Sequence, residues 1–380
     1  MNRILLLSLA IGVVGSNSLA LSPLAGSVAL SFDGKVPADV LVASAWYGAA
    51  TAVSAVLLAP HIGRIGARRA LLLAMFALSL ALVATAGATQ LHHINLYQAM
   101  AGIAAGVCLP SIYGFAADFS PPGRQNETVG KVLTGWTVSL VVGVSIAAFL
   151  ADLVHWRVVF LALSCLGLLI CLALFRVLPP DGTKADRVDV PSPLDALKVA
   201  GIAPVLVSVS AFMVAFYGLY AFVGPHVHDA LGKSTTLAGL VSLSYGLGYG
   251  AATILDPVID RFGRRRAGPV IFAALTATYV GLAVAGQSYP TLLASAFFWG
   301  VFVHLGMTIL VGRLTSISPR NRAAILGLYS GVTYASMFVG TAAFKPIYSA
   351  FGLPGATLSA AMCLCLVFII DRAFSRQWND

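Results

Sequence analysis

The chain has 380 residues, 59% hydrophobic and 10% charged, with 23 basic and 14 acidic side chains and a net charge of +9. A soluble domain carries about a quarter charged residues, so a soluble globular protein is excluded, and disorder is excluded because disordered chains are poor in apolar residues. The solvent that suits this composition is lipid.

A helix needs ~20 apolar residues to cross ~30 Å of hydrocarbon. Apolar runs bounded by Gly, Pro or charge predict twelve such spans, over 4–30, 40–61, 70–89, 95–118, 128–151, 157–178, 200–224, 236–257, 268–287, 290–314, 323–346 and 354–372. The first has the look of a secretory leader, with Arg3, an apolar core and small residues near Ala20. It stays apolar to Leu30, however, and we read it as an uncleaved span, interrupted by Asn17 between Ser16 and Ser18. A basic loop, His61–Arg69 (HIGRIGARR), follows the second span, and the fourth carries Ser111 and Tyr113 just past Pro110. The longest polar stretch, 179–198, falls at mid-chain and reads as a cytoplasmic linker between an N-terminal half, 1–178, and a C-terminal half, 199–380. The seventh span holds Phe216, Tyr217 and Tyr220, and the eighth holds Tyr245 and Tyr249 one turn apart. A second basic loop, Val258–Arg266 (VIDRFGRRR), comes next; the tenth span carries His304 and Met307, and the eleventh Tyr329 and Tyr334.

Charge placement gives the orientation. With the amino terminus in the cytoplasm and sides alternating, 19 of the 23 basic residues fall in cytoplasmic segments, and only Lys35, Arg157, Lys233 and Lys345 fall outside. This is the positive-inside pattern, and it places both termini in the cytoplasm. The basic residues do not gather on one polar face, which argues against nucleic acid as a partner. The five cysteines lie inside apolar runs, so a disulfide framework is not expected. His92-His93 and His226-x-His228-Asp229 are read as solvated loop histidines rather than metal sites. The sequence has no Walker-type GxxxxGK[ST] loop and no nucleophile–base constellation, so no cofactor and no enzymatic activity is expected.

Ionisable side chains inside membrane spans tend to be functional, and the acidic residues avoid the helix midpoints. That leaves His304 as the mid-helix group able to titrate near physiological pH, hence the candidate for proton coupling. The candidates for substrate contact are Asn17, Ser111, Tyr113, Phe216, Tyr217, Tyr220, Tyr245, His304 and Met307. Aromatic walls with few charges suit a neutral or amphipathic organic solute; helix packing is the competing reading for each.

The halves repeat. Aligning Gly66 with Gly263 sets an offset of 197, and Ser120–Arg124 (SPPGR) matches Ser318–Arg322 (SPRNR) at 198, as expected for parallel duplicated bundles. Within the second loop, Asp260-Arg261-Phe262-Gly263-Arg264-Arg265 resembles the G-x-x-x-D-R-x-G-R-R signature of the major facilitator superfamily. Trp156-Arg157-Val158-Val159-Phe160 resembles its WRxxF element, and Gly143-Val144-Ser145 the GVP of its sugar-efflux and drug:proton antiporter branch. Trp299-Gly300, and Val223-Gly224-Pro225 after the seventh span, fit that branch as well.

The resemblance implies an all-α membrane fold of twelve helices in two pseudo-symmetric six-helix bundles, with a central cavity that the tenth helix lines. It implies alternating access and proton-coupled efflux of a drug-like or sugar-like solute, by a monomer in a bacterial inner membrane, with protons and a small molecule as partners besides the lipid bilayer. It also implies a cytoplasmic gate latch, built here from Arg64, Gly66 and Arg68 in the first copy and Asp256, Asp260, Arg261, Gly263, Arg264 and Arg265 in the second. The chain departs from the pattern at several points. Gly63 stands where the first Asp belongs and Ala59 where the first Gly belongs, while Asp256 takes the first Gly position of the second copy. Gln98 stands four residues before Gly102, where the antiporters often have Arg, and Ser145 replaces the Pro of GVP. These departures leave an importer or facilitator of a neutral solute as a second reading, and a non-transporting receptor or scaffold as a third.

Overall fold

The computed structural model describes residues 3–121, 125–181, 193–318 and 322–374, and every regular element among them is helical. The N-terminal half contains α1 (Arg3–Ala29), α2 (Pro37–Leu57), α3 (Ala67–Ala86), α4 (Leu91–Asp118), α5 (125–153) and α6 (Trp156–Val177). The C-terminal half contains α7 (Ile202–Asp229), α8 (Thr235–Ile259), α9 (Arg264–Ala285), α10 (Tyr289–Ile317), α11 (322–351) and α12 (353–374). Gly352, at φ +62°, breaks the long run Arg322–Phe374 into its last two helices. The path therefore crosses the membrane twelve times among the described residues, in two six-helix bundles.

Most helix ends lie within a few residues of the predicted ones. Two histidine pairs do not lie where the sequence suggested. α4 begins at Leu91, so His92 and His93 form its first turn, with His93 Nδ1 3.3 Å from Thr89 Oγ1. α7 continues through Pro225 to Asp229, which brings Val223-Gly224-Pro225 and both His226 and His228 inside the helix. The cause is packing. Gly224 approaches the Ser22 carbonyl of α1 so closely that a Cβ would stand 1.8 Å from it, and the buried His226 lies 2.7 Å from the carbonyl of Gly286 at the end of α9.

The predicted repeat extends into the membrane. Gly102 lets α4 approach the Tyr47 carbonyl, and Gly300 lets α10 approach the Tyr245 carbonyl, the same contact at an offset of 198. Gly66 and Gly263 start α3 and α9 with φ of +102° and +81°, a backbone that only glycine adopts freely. The halves meet through α1 with α7, α2 with α11, and α5 with α8. Small residues make this close approach possible: Gly331 faces Val56, Gly48 faces the Tyr334 carbonyl, and Gly239, Gly246 and Gly250 of α8 face Ala148, Val141 and Thr137 of α5.

Candidate functional site

The helix midpoints bring together two kinds of aromatic group. Phe216, Tyr220, Tyr245 and Trp299 stack inside the C-terminal half, with Tyr245 and Trp299 ring centres 4.8 Å apart and Phe216 and Tyr245 5.6 Å apart. Each is buried, and the Tyr220 hydroxyl donates to Ser242 Oγ at 3.1 Å. This group packs α7 against α8 and α10. Tyr217 touches this stack, its ring centre 4.9 Å from that of Phe216, and also reaches beyond it. Its phenol interacts electrostatically with those of Tyr249, Tyr329 and, across the seam, Tyr113 of α4. Tyr334 joins the same layer and sets its ring 6.2 Å from Tyr47 of α2. Six tyrosines thus line both sides of the interface, Tyr47 and Tyr113 on one side, Tyr217, Tyr249, Tyr329 and Tyr334 on the other. Met307 adds its sulfur, 3.9 Å from the Tyr329 hydroxyl.

His304 stands at the edge of this layer, with its ring 4.8 Å from that of Tyr249 and edge-on to it. No carboxylate was expected at a helix midpoint, and Asp256 stands near the carboxyl end of α8. Asp256 reaches His304: Nε2 lies 3.0 Å from Oδ1 and 3.2 Å from Oδ2. Thr308, one turn along α10, places its hydroxyl 3.4 Å from Oδ1. The local backbone explains the reach. α8 tightens to a 3-10 stretch over Ala252–Leu255, and Pro257 follows at the start of the next helical segment, Asp256–Phe262. The offset of 198 places Gly106 where His304 stands. In the N-terminal half Gly106 lets α4 close on α2, with the Thr51 carbonyl 2.6 Å from a notional Cβ. In the C-terminal half the imidazole occupies that space, and Asp256 meets it. With Nε2 donating to Asp256, Nδ1 is the free nitrogen; it is buried and has no hydrogen-bond partner among the described residues.

Asn17 lies in α1 with a partner the sequence did not reveal. Its amide exchanges hydrogen bonds with Gln98 of α4, Nδ2 to Oε1 at 3.0 Å and Nε2 to Oδ1 at 3.2 Å. Gln98 also reaches Thr85 Oγ1 at 3.4 Å. The pair is fully buried and neutral, at the position where an Arg was expected by resemblance. Ser16, beside it, packs on Gly143, where α5 forms a π-helical turn over Ser139–Gly143. Ser111 is buried and donates back to the Val107 carbonyl at 2.9 Å, a bond internal to α4.

The signature residues divide between the two loops. In the first copy Asp181, four residues beyond the end of α6, takes the helix-capping place left open by Gly63. It accepts from the backbone N–H groups of Arg68 at 2.8 Å and Arg69 at 3.2 Å, against Gly66. Arg68 itself reaches the Phe175 carbonyl at 2.6 Å. Arg64 lies in the exposed turn Ile62–Ile65. In the second copy Arg261 is exposed and Arg264 lies along Gly312 of α10. Arg265 opens α9 after Gly263, and the side chain of Asp260 lies outside the described residues. Behind this loop Arg313 of α10 and Asp371 of α12 form an ion pair with only 4% and 1% of their side chains exposed. Arg313 also donates to the Arg264 carbonyl at 3.3 Å. The sequence placed both residues at the inner surface, whereas the structure embeds them in the bundle.

Comparison with known proteins agrees with the fold. The family model described as Major Facilitator Superfamily matches residues 5–341 and 205–376. The uncharacterized MFS-type transporter YwfA of Bacillus subtilis (strain 168) is 29% identical over 377 residues, covering 97% of this chain and 91% of its own. A probable sugar efflux transporter of Pasteurella multocida (strain Pm70) is 22% identical over 271 residues, 68% of this chain and 64% of its own. Among solved structures, the D-xylose-proton symporter superposes with a TM-score of 0.78 at 16% identity, covering 99% of this chain and 97% of its own. The human organic anion transporter MFSD10 gives 0.72 at 14%, covering 97% and 98%.

Proposed function

From the premise that the chain belongs to the Major Facilitator Superfamily, a family of membrane transporters, we propose that it exports a small neutral or amphipathic organic solute, drug-like or sugar-like, in exchange for protons. Its setting in this reading is a bacterial inner membrane, as a monomer with both termini cytoplasmic, and with halves 1–178 and 199–380 joined by the linker 179–198. The observation that carries the reading is the His304–Asp256 pair. It is the ionisable pair beside a layer of phenols and neutral amides, with the histidine side chain 12% exposed and the aspartate 35%. With neutral His304 the pair carries one negative charge; a proton on Nδ1 turns it into a neutral ion pair. Desolvating a net charge costs more than desolvating a matched pair. The pair thus offers a place beside the layer where a change of charge can be coupled to closure of the site.

The tyrosine layer supplies flat apolar faces with hydroxyl tips, a lining suited to a solute of mixed polarity. Tyr113, Tyr217 and Met307 face this layer and stay in the proposed binding set. Phe216, Tyr220 and Tyr245 shape its wall from behind. The test uses lightly buffered proteoliposomes and a panel of neutral sugars and amphipathic drugs. Export coupled to protons gives a solute-induced pH change that His304→Gln abolishes while solute counterflow persists. Equal flux with and without a pH gradient supports the facilitator reading instead, and binding with no flux supports the receptor.

A further inference from the structure

We propose that Asp39 and Asp152 close the outer gate, two carboxylates of the N-terminal half that each grip the C-terminal half when the outside is shut. Asp39, in the first turn of α2, accepts a hydrogen bond from Lys345 of α11 at 2.8 Å, with about a third of each side chain exposed. Asp152, in the last turn of α5, accepts from the backbone N–H of Thr236 at 2.6 Å. The Ser234, Thr235 and Thr236 side chains surround it with polar groups. This carboxylate therefore sits on the exposed amino end of α8, where the first N–H groups lack helical partners and the helix dipole attracts negative charge.

The two contacts lie on opposite edges of the interface. α1 packs against both α2 and α5, so its own contact falls between them. There Ser22 Oγ donates to the Tyr220 carbonyl at 2.7 Å and Gly224 lies against the Ser22 backbone. Closure at the outer face thus rests on a central backbone contact and a charged clasp on either side. Both carboxylates come from one half and both acceptors of their charge from the other, so neither clasp survives separation of the halves. The clasps act on the conformational equilibrium and require no particular solute.

The experiment reads the outer opening directly. Spin labels replace Leu30 and Phe351, which are 80% and 72% exposed at the outer ends of α1 and α11, in a variant without native cysteines. Distances are measured in lipid nanodiscs without solute. The intact clasps give a short-distance population. Asp39→Asn and Asp152→Asn together shift the open-to-closed ratio by roughly tenfold, the size of a typical coupling between conformational states. Lys345→Gln shifts it as Asp39→Asn does, and the two combined shift it no further, because they remove one interaction. A thermal melt accompanies each variant. Distances that superpose on those of the parent, or additive shifts from Asp39→Asn and Lys345→Gln, overturn the proposal. If Asp39→Asn with Asp152→Asn fails to fold, the Lys345→Gln comparison decides alone, with an unchanged distance counting against the gate.

Discussion

The two halves solve one packing problem in two ways. In the N-terminal half, Gly102 and Gly106 bring α4 against the carbonyls of Tyr47 and Thr51, and two buried amides, Asn17 and Gln98, satisfy each other. In the C-terminal half, Gly300 repeats the first approach, but His304 fills the place of Gly106 and Asp256 pairs with it. Behind these, the C-terminal half buries a second charged pair, Arg313 with Asp371; an offset of 198 maps these onto Phe115 and Ala173. Among the described residues the interior of the first bundle holds no buried Asp, Glu, Lys or Arg, and that of the second holds Arg313 and Asp371. The duplicated fold is kept, while the buried charged pair among the described residues lies in the C-terminal copy.

The comparison breaks hardest at Arg313. Arg313→Met leaves Asp371 as an unpaired buried charge and should cost about 3–5 kcal/mol. Arg313→Met with Asp371→Leu should recover most of that loss, since a buried pair replaced by apolar groups is often neutral. Detergent-solubilised thermal and denaturant unfolding of the three proteins checks this. An equally damaged double variant would show that the pair supplies more than mutual neutralisation.

In the neutral half the vulnerable point is close packing. Gly106→Ala places a methyl 2.6 Å from the Thr51 carbonyl and 2.8 Å from the Ala55 nitrogen. Both are backbone atoms that cannot swing aside, so the helices must separate at a cost of about 1–3 kcal/mol. Substitution of Gln98 by Leu leaves Asn17 buried with unmet hydrogen bonds, again about 1–3 kcal/mol. Asn17→Leu combined with Gln98→Met should be milder than either single change. Unfolding midpoints compared across this set separate packing strain from polar satisfaction.

How far the sequence shows this depends on the direction of the contact. Depth in the membrane follows from hydropathy, so the twelve spans and the two basic loops were legible. Rotation about each helix axis was not, and a site depends on it. Phe216 and Tyr217 are neighbours in the chain, yet successive residues turn by about 100° on a helix. One joins the packed aromatic stack and the other faces the seam. The partners of the polar groups were hidden for the same reason: Asn17 meets a residue 81 positions away, and Asp256 one 48 away. Asp256 did carry a signal, as a carboxylate in a glycine position of the signature. The missing step was to extend the loop offset into the membrane, where it sets His304 against Gly106.

The smallest expected effect tests the division between the two aromatic groups. Tyr217→Phe removes one hydroxyl from the phenol layer and leaves the ring, which remains buried. If the layer contacts solute, apparent affinity should weaken by about 0.5–1.5 kcal/mol, the net worth of an ordinary hydrogen bond, with little change in unfolding. Tyr220→Phe serves as the control. Its hydroxyl bonds Ser242 inside the bundle, so its loss should lower stability by a similar amount and leave affinity unchanged. Binding of a solute that the wild type transports, measured beside the melt for both variants, gives a crossed pattern if the seam and the stack have separate roles. Matching losses in both readouts for both variants would merge the two groups into one wall. The charged half would then meet solute through its whole aromatic core rather than through the layer beside His304.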